Sequence, residues 1–93
     1  VYDVALEELE ECLWTERDTV ERAVEGNLLG EAISRFLWEQ PPLYRDVFVL
    51  RYYQFSSIQR IAKAYAIGES KTKSILFRTR KKLRVFLESE GLL

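Results

Sequence analysis

The 93-residue sequence contains no histidine, only one cysteine and no long apolar run. Without histidine, the chain cannot use a histidine-activated nucleophile, a histidine acid/base pair or a zinc site with histidine ligands. Cys12 has no second cysteine with which to form an internal disulfide, which fits a reducing cytosol. No segment approaches the roughly 20 apolar residues that span a bilayer, and no signal peptide opens the chain. We therefore expect a cytoplasmic protein that does not enter a membrane.

A glycine-rich phosphate loop and a metal-ligand cluster are also missing, so we expect no enzyme, no cofactor and no metal site. The residues that are present suffice for one small domain, since 47% of them are hydrophobic and 31% are charged. Because the first residue is Val1 and not methionine, we expect a piece of a longer protein.

The net charge of -1 conceals a separation of charge along the chain. Residues 1–31 hold ten acidic and two basic residues, whereas residues 32–93 hold twelve basic and five acidic residues. Nine of those twelve lie between Arg60 and Arg84, with only Glu69 against them. This separation favours an anionic partner for the C-terminal half. The plainer alternative is that the basic run is the solvated face of a surface helix.

The spacing of apolar residues predicts an all-α fold, a small bundle of about four helices without strands. These helices should cover about residues 18–38, 43–53, 56–66 and 70–90. Residues 1–17 are acidic and only weakly periodic, so we interpret them as an inter-domain linker that is helical in part, and residues 18–93 as the domain. Capping boxes at Asp18 with Glu21 and at Ser56 with Gln59 mark two of the helix starts. Pro42 suits the first turn of the second helix, and Gly91 suits a left-handed C-cap.

The last two predicted helices are separated only by Ile67, Gly68 and Glu69. A short helix, a tight turn and a long basic helix, together about residues 56–89, describe a helix-turn-helix, whose second helix enters the major groove of DNA. On a helical wheel one stripe of this last helix is suited to the core, namely Thr72, Leu76, Thr79, Leu83 and Phe86. The opposite side carries Ser74, Phe77, Arg78 and Lys81, flanked by Lys71, Lys73 and Arg84.

The residue types on this outward side suit DNA. Arginine pairs bidentately with guanine, lysine reaches guanine or phosphate, and an outward phenylalanine such as Phe77 can contact a thymine methyl group. The alternative for Phe77 is a second core contact. A further set is better placed for phosphates than for bases: Ser56, Ser57, Arg60, Lys71, Arg80, Lys81 and Lys82.

The second predicted helix is apolar over more of its circumference than one buried stripe requires. The surplus can close over the neighbouring helices, or it can form a protein-binding groove. The pattern alone leaves both interpretations open.

The stretch PPLYRDVFVLRYYQFSSIQRIAKAYAIGESKTKSILFRTRKKLRVFLE resembles region four, the C-terminal DNA-binding region of bacterial sigma factors. The match covers about Phe36 to Leu87 and is most similar to the compact extracytoplasmic-function branch of the sigma-seventy family. Its strongest signatures are RDVFVLRYY and K-S-x-L-F-R-x-R-K-K-L.

The resemblance implies a non-enzymatic subunit of RNA polymerase that reads the minus-thirty-five element of promoter DNA and docks on the flap of the β subunit. It implies base contacts by Lys73, Ser74, Phe77 and Arg78. It further implies polymerase contacts on the second and third helices, for which we select Tyr44, Phe48, Arg51 and Tyr52. A monomer is expected, and an anti-sigma protein is an additional partner that the resemblance allows.

Three residues depart from the family pattern. Ala66 stands where a turn glycine is common, so either the alanine adopts positive φ or Gly68 reshapes the turn. Ile75 stands where arginine is common, which removes one DNA contact. Thr72 replaces a typical valine, and its hydroxyl should donate to a carbonyl of its own helix.

Two other functions remain open on the sequence. A stand-alone helix-turn-helix regulator would usually need a dimer to read two half-sites, and a helical protein-interaction module would show no salt-dependent DNA binding. We also expect the acidic residues 1–17 to shield the basic helix when DNA is absent, so that their deletion raises DNA affinity at low salt.

Overall fold

The computed structural model describes residues 7–9 and 28–93, and in these ranges every regular element is helical. The helices are α1 (Leu28–Trp38), α2 (Pro42–Tyr52), α3 (Ile58–Ala64) and α4 (Glu69–Ser89). Residues 7–9 are helical as well. The all-α prediction is confirmed. The predicted cap at Asp18 and the first ten residues of the first predicted helix lie outside the described residues, as does most of the acidic segment.

Proline and serine set the starts of α2 and α3. Pro42 occupies the first turn of α2, where its missing N–H costs no hydrogen bond. The cap of α3 is Ser57 and not Ser56, because the Ser57 hydroxyl accepts a hydrogen bond from the Arg60 N–H at 3.1 Å. The backbone of Ser56 makes other contacts, since its N–H donates to the Leu50 carbonyl and its carbonyl accepts from Arg51. The predicted capping box was therefore one residue early.

The long helix α4 is the centre of the domain and contacts α1, α2 and α3. It contributes a continuous stripe to the core: Thr72, Ile75, Leu76, Thr79, Leu83 and Leu87, all buried. The stripe is wider than predicted because Ile75 is only 2% exposed. Ile75 lies in the core, where an arginine would be buried, so packing explains why isoleucine stands at a position where arginine is common.

Most of the surplus apolar surface of α2 is covered by the domain itself. Val47, Phe48 and Tyr52 are buried, and the rings of Phe48 and Tyr52 pack with centroids 4.7 Å apart. Other apolar residues of α2 are half-buried against the same core: Leu43, Tyr44, Val49 and Leu50. Of the two interpretations, closure over neighbouring helices accounts for these seven residues. None of the described helices is both long and apolar enough to cross a membrane.

Two buried threonines satisfy their hydroxyls within α4. The Thr72 hydroxyl donates to the Gly68 carbonyl at 2.9 Å, as predicted, and the Thr79 hydroxyl donates to the Ile75 carbonyl at 2.7 Å. Both side chains are fully buried. Because a buried hydroxyl without a partner costs about 1–3 kcal/mol, these local bonds make threonine acceptable in the core.

The turn between α3 and α4 depends on Ala66 in the left-handed conformation, with φ of 53°. The Ala66 N–H donates to the Lys63 carbonyl at 3.3 Å and the Ile67 N–H to the Ala62 carbonyl at 3.0 Å. This is a Schellman ending, in which the half-buried Ile67 folds back onto the core. Gly68 has an ordinary φ of -74°. Of the two alternatives for this turn, positive φ at Ala66 is confirmed.

Ala66→Gly should stabilise the domain by about 0.5–1 kcal/mol. The left-handed conformation costs an L-residue roughly 1–2 kcal/mol, and glycine avoids this cost. Part of the gain is lost because glycine has a higher conformational entropy in the unfolded chain. Urea unfolding measures the change in the free energy of unfolding, provided that the dependence of this free energy on urea concentration has the same slope in both chains. Ala64→Gly, two residues earlier and inside α3, is the control and should destabilise by about 0.5–1 kcal/mol. If the free energy of unfolding of A66G is equal to or below that of the wild-type chain, the left-handed conformation of Ala66 is contradicted.

The C-terminal end of α4 is also a Schellman ending. Gly91 has φ of 74°, and the Leu92 N–H donates to the Leu87 carbonyl at 2.9 Å. Leu92 packs against the core. The predicted left-handed cap at Gly91 is confirmed.

Candidate nucleic-acid interface

One face of α4 is free of the core and carries the four residues predicted to contact bases. Lys73, Ser74, Phe77 and Arg78 are all exposed. They follow the i, i+1, i+4, i+5 spacing that places residues on one side of a helix. The buried stripe lies on the opposite side of α4 and holds this face outward. The structure therefore brings the four residues together on the surface.

Phe77 does not belong to the core. Its side chain is 51% exposed, and Lys81 Nζ lies 4.6 Å from the centroid of its ring. A cation over an exposed ring adds only about 0.5–1 kcal/mol, so this contact does not explain why a large apolar side chain faces outward. A binding partner that covers the ring would explain it.

A groove of about 670 Å³ runs beside this face. Its lining combines polar and apolar groups of α4 with Ile58 of α3 and one residue of the N-terminal segment, and it comprises Glu8, Ile58, Lys73, Ser74, Leu76, Phe77, Arg78 and Arg80. Three of the eight are basic, and one, Glu8, is acidic. The groove therefore favours an anion except where Glu8 stands.

Most residues predicted to contact phosphates are accessible. Arg60, Lys71, Lys81 and Lys82 are exposed, and Lys82 Nζ lies 5.6 Å from the centroid of the Tyr44 ring. Ser56 and Ser57 are half-buried, and the Ser57 hydroxyl already caps α3.

Arg80 differs from the other basic residues because it already has partners. Its Nη1 donates to the Tyr52 hydroxyl at 2.6 Å and lies 3.6 Å from a carboxylate oxygen of Glu8. Only 17% of its side chain is exposed. Glu8 therefore already supplies a negative charge beside the cation with which Arg80 would bind a phosphate.

Three of the four residues selected for polymerase contact point inward. Phe48 is fully buried, and Arg51 and Tyr52 are each 5% exposed, whereas Tyr44 is half-buried. In this arrangement the three buried side chains contact their own domain, and direct contact with a partner is restricted to Tyr44. A signal for this was present in the sequence: Val47, Phe48, Arg51 and Tyr52 also follow the spacing of one helix face, so Arg51 lies within an apolar stripe.

The buried Arg51 guanidinium is held by three hydrogen bonds. Its Nε and Nη2 donate to the two carboxylate oxygens of Glu8 at 3.3 and 2.7 Å, and its Nη1 donates to the Ser56 carbonyl at 3.0 Å. The Tyr52 hydroxyl donates to Glu8 at 3.1 Å. Sequence analysis did not identify Glu8, since 43 residues separate it from Arg51.

The electrostatics of this cluster favour the charged carboxylate. Burial alone would raise the pKa of Glu8, but the hydrogen bond and charge of Arg51, followed by Tyr52 and Arg80, lower it on balance. Burial raises the pKa of Tyr52 well above its usual value, so the phenol stays protonated and donates to Glu8.

A short helix and a long basic helix, joined by a tight turn and presenting exposed basic residues, define a helix-turn-helix DNA-binding domain. Residues 41–85 match the family model described as Sigma-70, region 4. The match covers α2, α3 and most of α4. The family is one of DNA-binding, regulatory domains of transcription and not one of enzymes. A search of curated proteins and of solved structures gives no significant match.

Proposed function

We propose that this domain recognises the minus-thirty-five element of a promoter through α4 and docks on the β-flap of RNA polymerase to direct transcription initiation. One observation carries the proposal: the exposed face of Lys73, Ser74, Phe77 and Arg78, held outward by the buried stripe behind it. Within a sigma-70 region 4 domain, such a face is the part of the helix that can reach the base edges.

The four side chains suit different parts of the major groove. Arg78 can donate two hydrogen bonds to the O6 and N7 atoms of one guanine, and Lys73 can reach a second acceptor. Ser74 can donate or accept, and the ring of Phe77 can pack against a thymine methyl group. Accessible cations around the face would bind the phosphates and set the register: Arg60, Lys71, Lys81 and Lys82.

For polymerase we propose the outer side of α2 and α3 in place of the buried residues of α2. Tyr53 is 53% exposed at the end of α2, and Tyr44 remains accessible in part. A second groove of about 300 Å³ lies between the two helices and is lined by Leu50, Gln54, Ser56, Arg60, Ile61 and Ala64. Its lining mixes polar and apolar side chains, as protein interfaces do. An anti-sigma protein would act by covering the same surfaces, and the domain would work as a monomer.

Salt dependence tests the DNA half of the proposal. If five or six phosphates are neutralised, the logarithm of the association constant should fall against the logarithm of salt concentration with a slope of about -5, because ~0.9 ion is released per phosphate. Fluorescence anisotropy of a labelled duplex measures the slope. Lys71→Ala should make it shallower by about one, since one phosphate contact is lost.

Lys63→Ala is the matched control, since Lys63 is an exposed lysine of α3 outside the predicted contact set, and it should leave the slope unchanged. The absence of any salt-dependent DNA binding would favour a protein-interaction module. A dimer that binds a palindrome would favour a stand-alone regulator.

A further inference from the structure

We propose that Arg51, Tyr52 and Arg80 form a carboxylate-binding site that holds the N-terminal segment through Glu8, and that Glu8 competes with a DNA phosphate for Arg80. The second half of this inference rests on the proposed function. The site is called the carboxylate clamp below and consists of those three residues.

The clamp is built for one planar carboxylate. Arg51 presents two of its nitrogens to the two oxygens of Glu8, at 3.3 and 2.7 Å, which is the bidentate geometry that arginine uses for carboxylates. The Tyr52 hydroxyl adds a third donor at 3.1 Å. Arg80 donates to that same hydroxyl, so it both orients the phenol and adds positive charge.

Arg51 and Tyr52 also have contacts that do not involve Glu8. Arg51 is fixed by its bond to the Ser56 carbonyl, and Tyr52 is fixed by the packing of its ring on Phe48. Because Arg51 is 5% exposed, leaving it without an anion would keep a positive charge buried without its counter-charge. The domain therefore favours occupation of the site by some carboxylate.

The N-terminal segment is suited to be that occupant. Leu9 packs against the hydrophobic core beside Glu8, so the segment contributes an apolar contact together with the charged one. Glu7 is exposed, and no such bond is formed by it within the described residues. Of the two adjacent glutamates, only Glu8 enters the clamp.

Occupation of the clamp affects the proposed DNA face in two ways. It keeps Arg80 engaged, although Arg80 is one of the cations assigned to phosphates. It also places a negative charge in the lining of the groove that contains Lys73 and Arg78. A duplex that enters this groove meets like-charge repulsion unless Glu8 leaves. Glu8 is 27% exposed, so its route to solvent is short.

Glu8→Gln removes the charge and keeps a side chain of the same length that can still accept a bond from Tyr52. We expect E8Q to bind a random-sequence duplex about tenfold more tightly than the wild-type chain at about 50 mM salt, where long-range repulsion is only partly screened. Glu7→Gln makes the same change in net charge one residue away and should alter the affinity by less than about twofold. Circular dichroism verifies that both variants keep their helices.

A second readout is independent of DNA. The proton–nitrogen NMR signal of the Arg51 Nε–H should be protected from solvent exchange in the wild-type chain and in E7Q, and should lose that protection in Glu8→Ala, which has no side-chain acceptor. Unchanged protection in E8A would overturn the clamp itself. Lost protection in E8A, together with equal DNA affinity of E8Q and E7Q, would overturn the competition.

Arg78→Ala, measured on promoter and random duplexes in the same experiment, separates this inference from the proposed function. If R78A loses promoter preference but E8Q binds like E7Q, the inference fails and the proposed function stands. If E8Q binds more tightly while R78A keeps its preference, the proposed function fails and the competition stands.

Discussion

Arg78→Ala is expected to lower transcription from the cognate promoter by tenfold or more in reconstituted polymerase holoenzyme, with little change in the free energy of unfolding. One bidentate pair between arginine and guanine is worth about 1–3 kcal/mol, and each 1.4 kcal/mol corresponds to about tenfold. Arg78 is exposed and outside the core, so a change in stability beyond about 0.5 kcal/mol is not expected. Run-off transcription from matched and mutated promoters measures the effect.

The control for this prediction is Lys82→Ala. Lys82 is also exposed on α4, but it is assigned to a phosphate, so its loss should weaken all promoters alike. The ratio of matched to mutated promoter activity should therefore fall in R78A and stay constant in K82A. A constant ratio in both variants would refute base reading by Arg78.

Phe48→Ala is expected to cost about 4 kcal/mol of unfolding free energy, because removing a buried phenylalanine side chain loses its transfer energy and leaves a cavity. Phe48 is fully buried, and its ring packs against that of Tyr52 at an interplanar angle of 60°. Small domains have only about 5–15 kcal/mol of stability, so the variant should be partly unfolded at modest urea concentrations. Urea denaturation followed by circular dichroism measures the loss.

Tyr53→Ala is the matched control, an aromatic residue at the end of the same helix that is 53% exposed. It should change stability by less than about 0.5 kcal/mol. If Phe48 contacted polymerase through an accessible ring, F48A would instead remain stable and lose polymerase binding. The two outcomes are separated by measuring stability before binding.

The helices of the domain were predictable because their signals are local. The predicted limits of the second and fourth helices differ from Pro42–Tyr52 and Glu69–Ser89 by one residue at each end. Proline at the start of α2 and glycine after α4 act on the adjacent backbone, so the sequence records them directly. The third helix ends at Ala64, two residues earlier than predicted, because Ala66 adopts a conformation that alanine rarely accepts.

The candidate DNA face was predictable for the same reason. Lys73, Ser74, Phe77 and Arg78 share one side of a regular helix whose opposite side is apolar, so periodicity alone orients them. Their contacts with bases remain a prediction.

What the sequence determined by itself was therefore the set of helices, the helix-turn-helix and the outward face of α4, since each follows from residues within a few positions of one another. Only the tertiary structure decided that Arg51 and Tyr52 bind Glu8 and that Arg80 lies between Tyr52 and Glu8. Those contacts join residues 28 to 72 positions apart, and they form only when α2, α4 and the N-terminal segment pack together. Helical periodicity carries no information about which distant carboxylate meets a buried guanidinium, because that choice depends on the packing of separate elements.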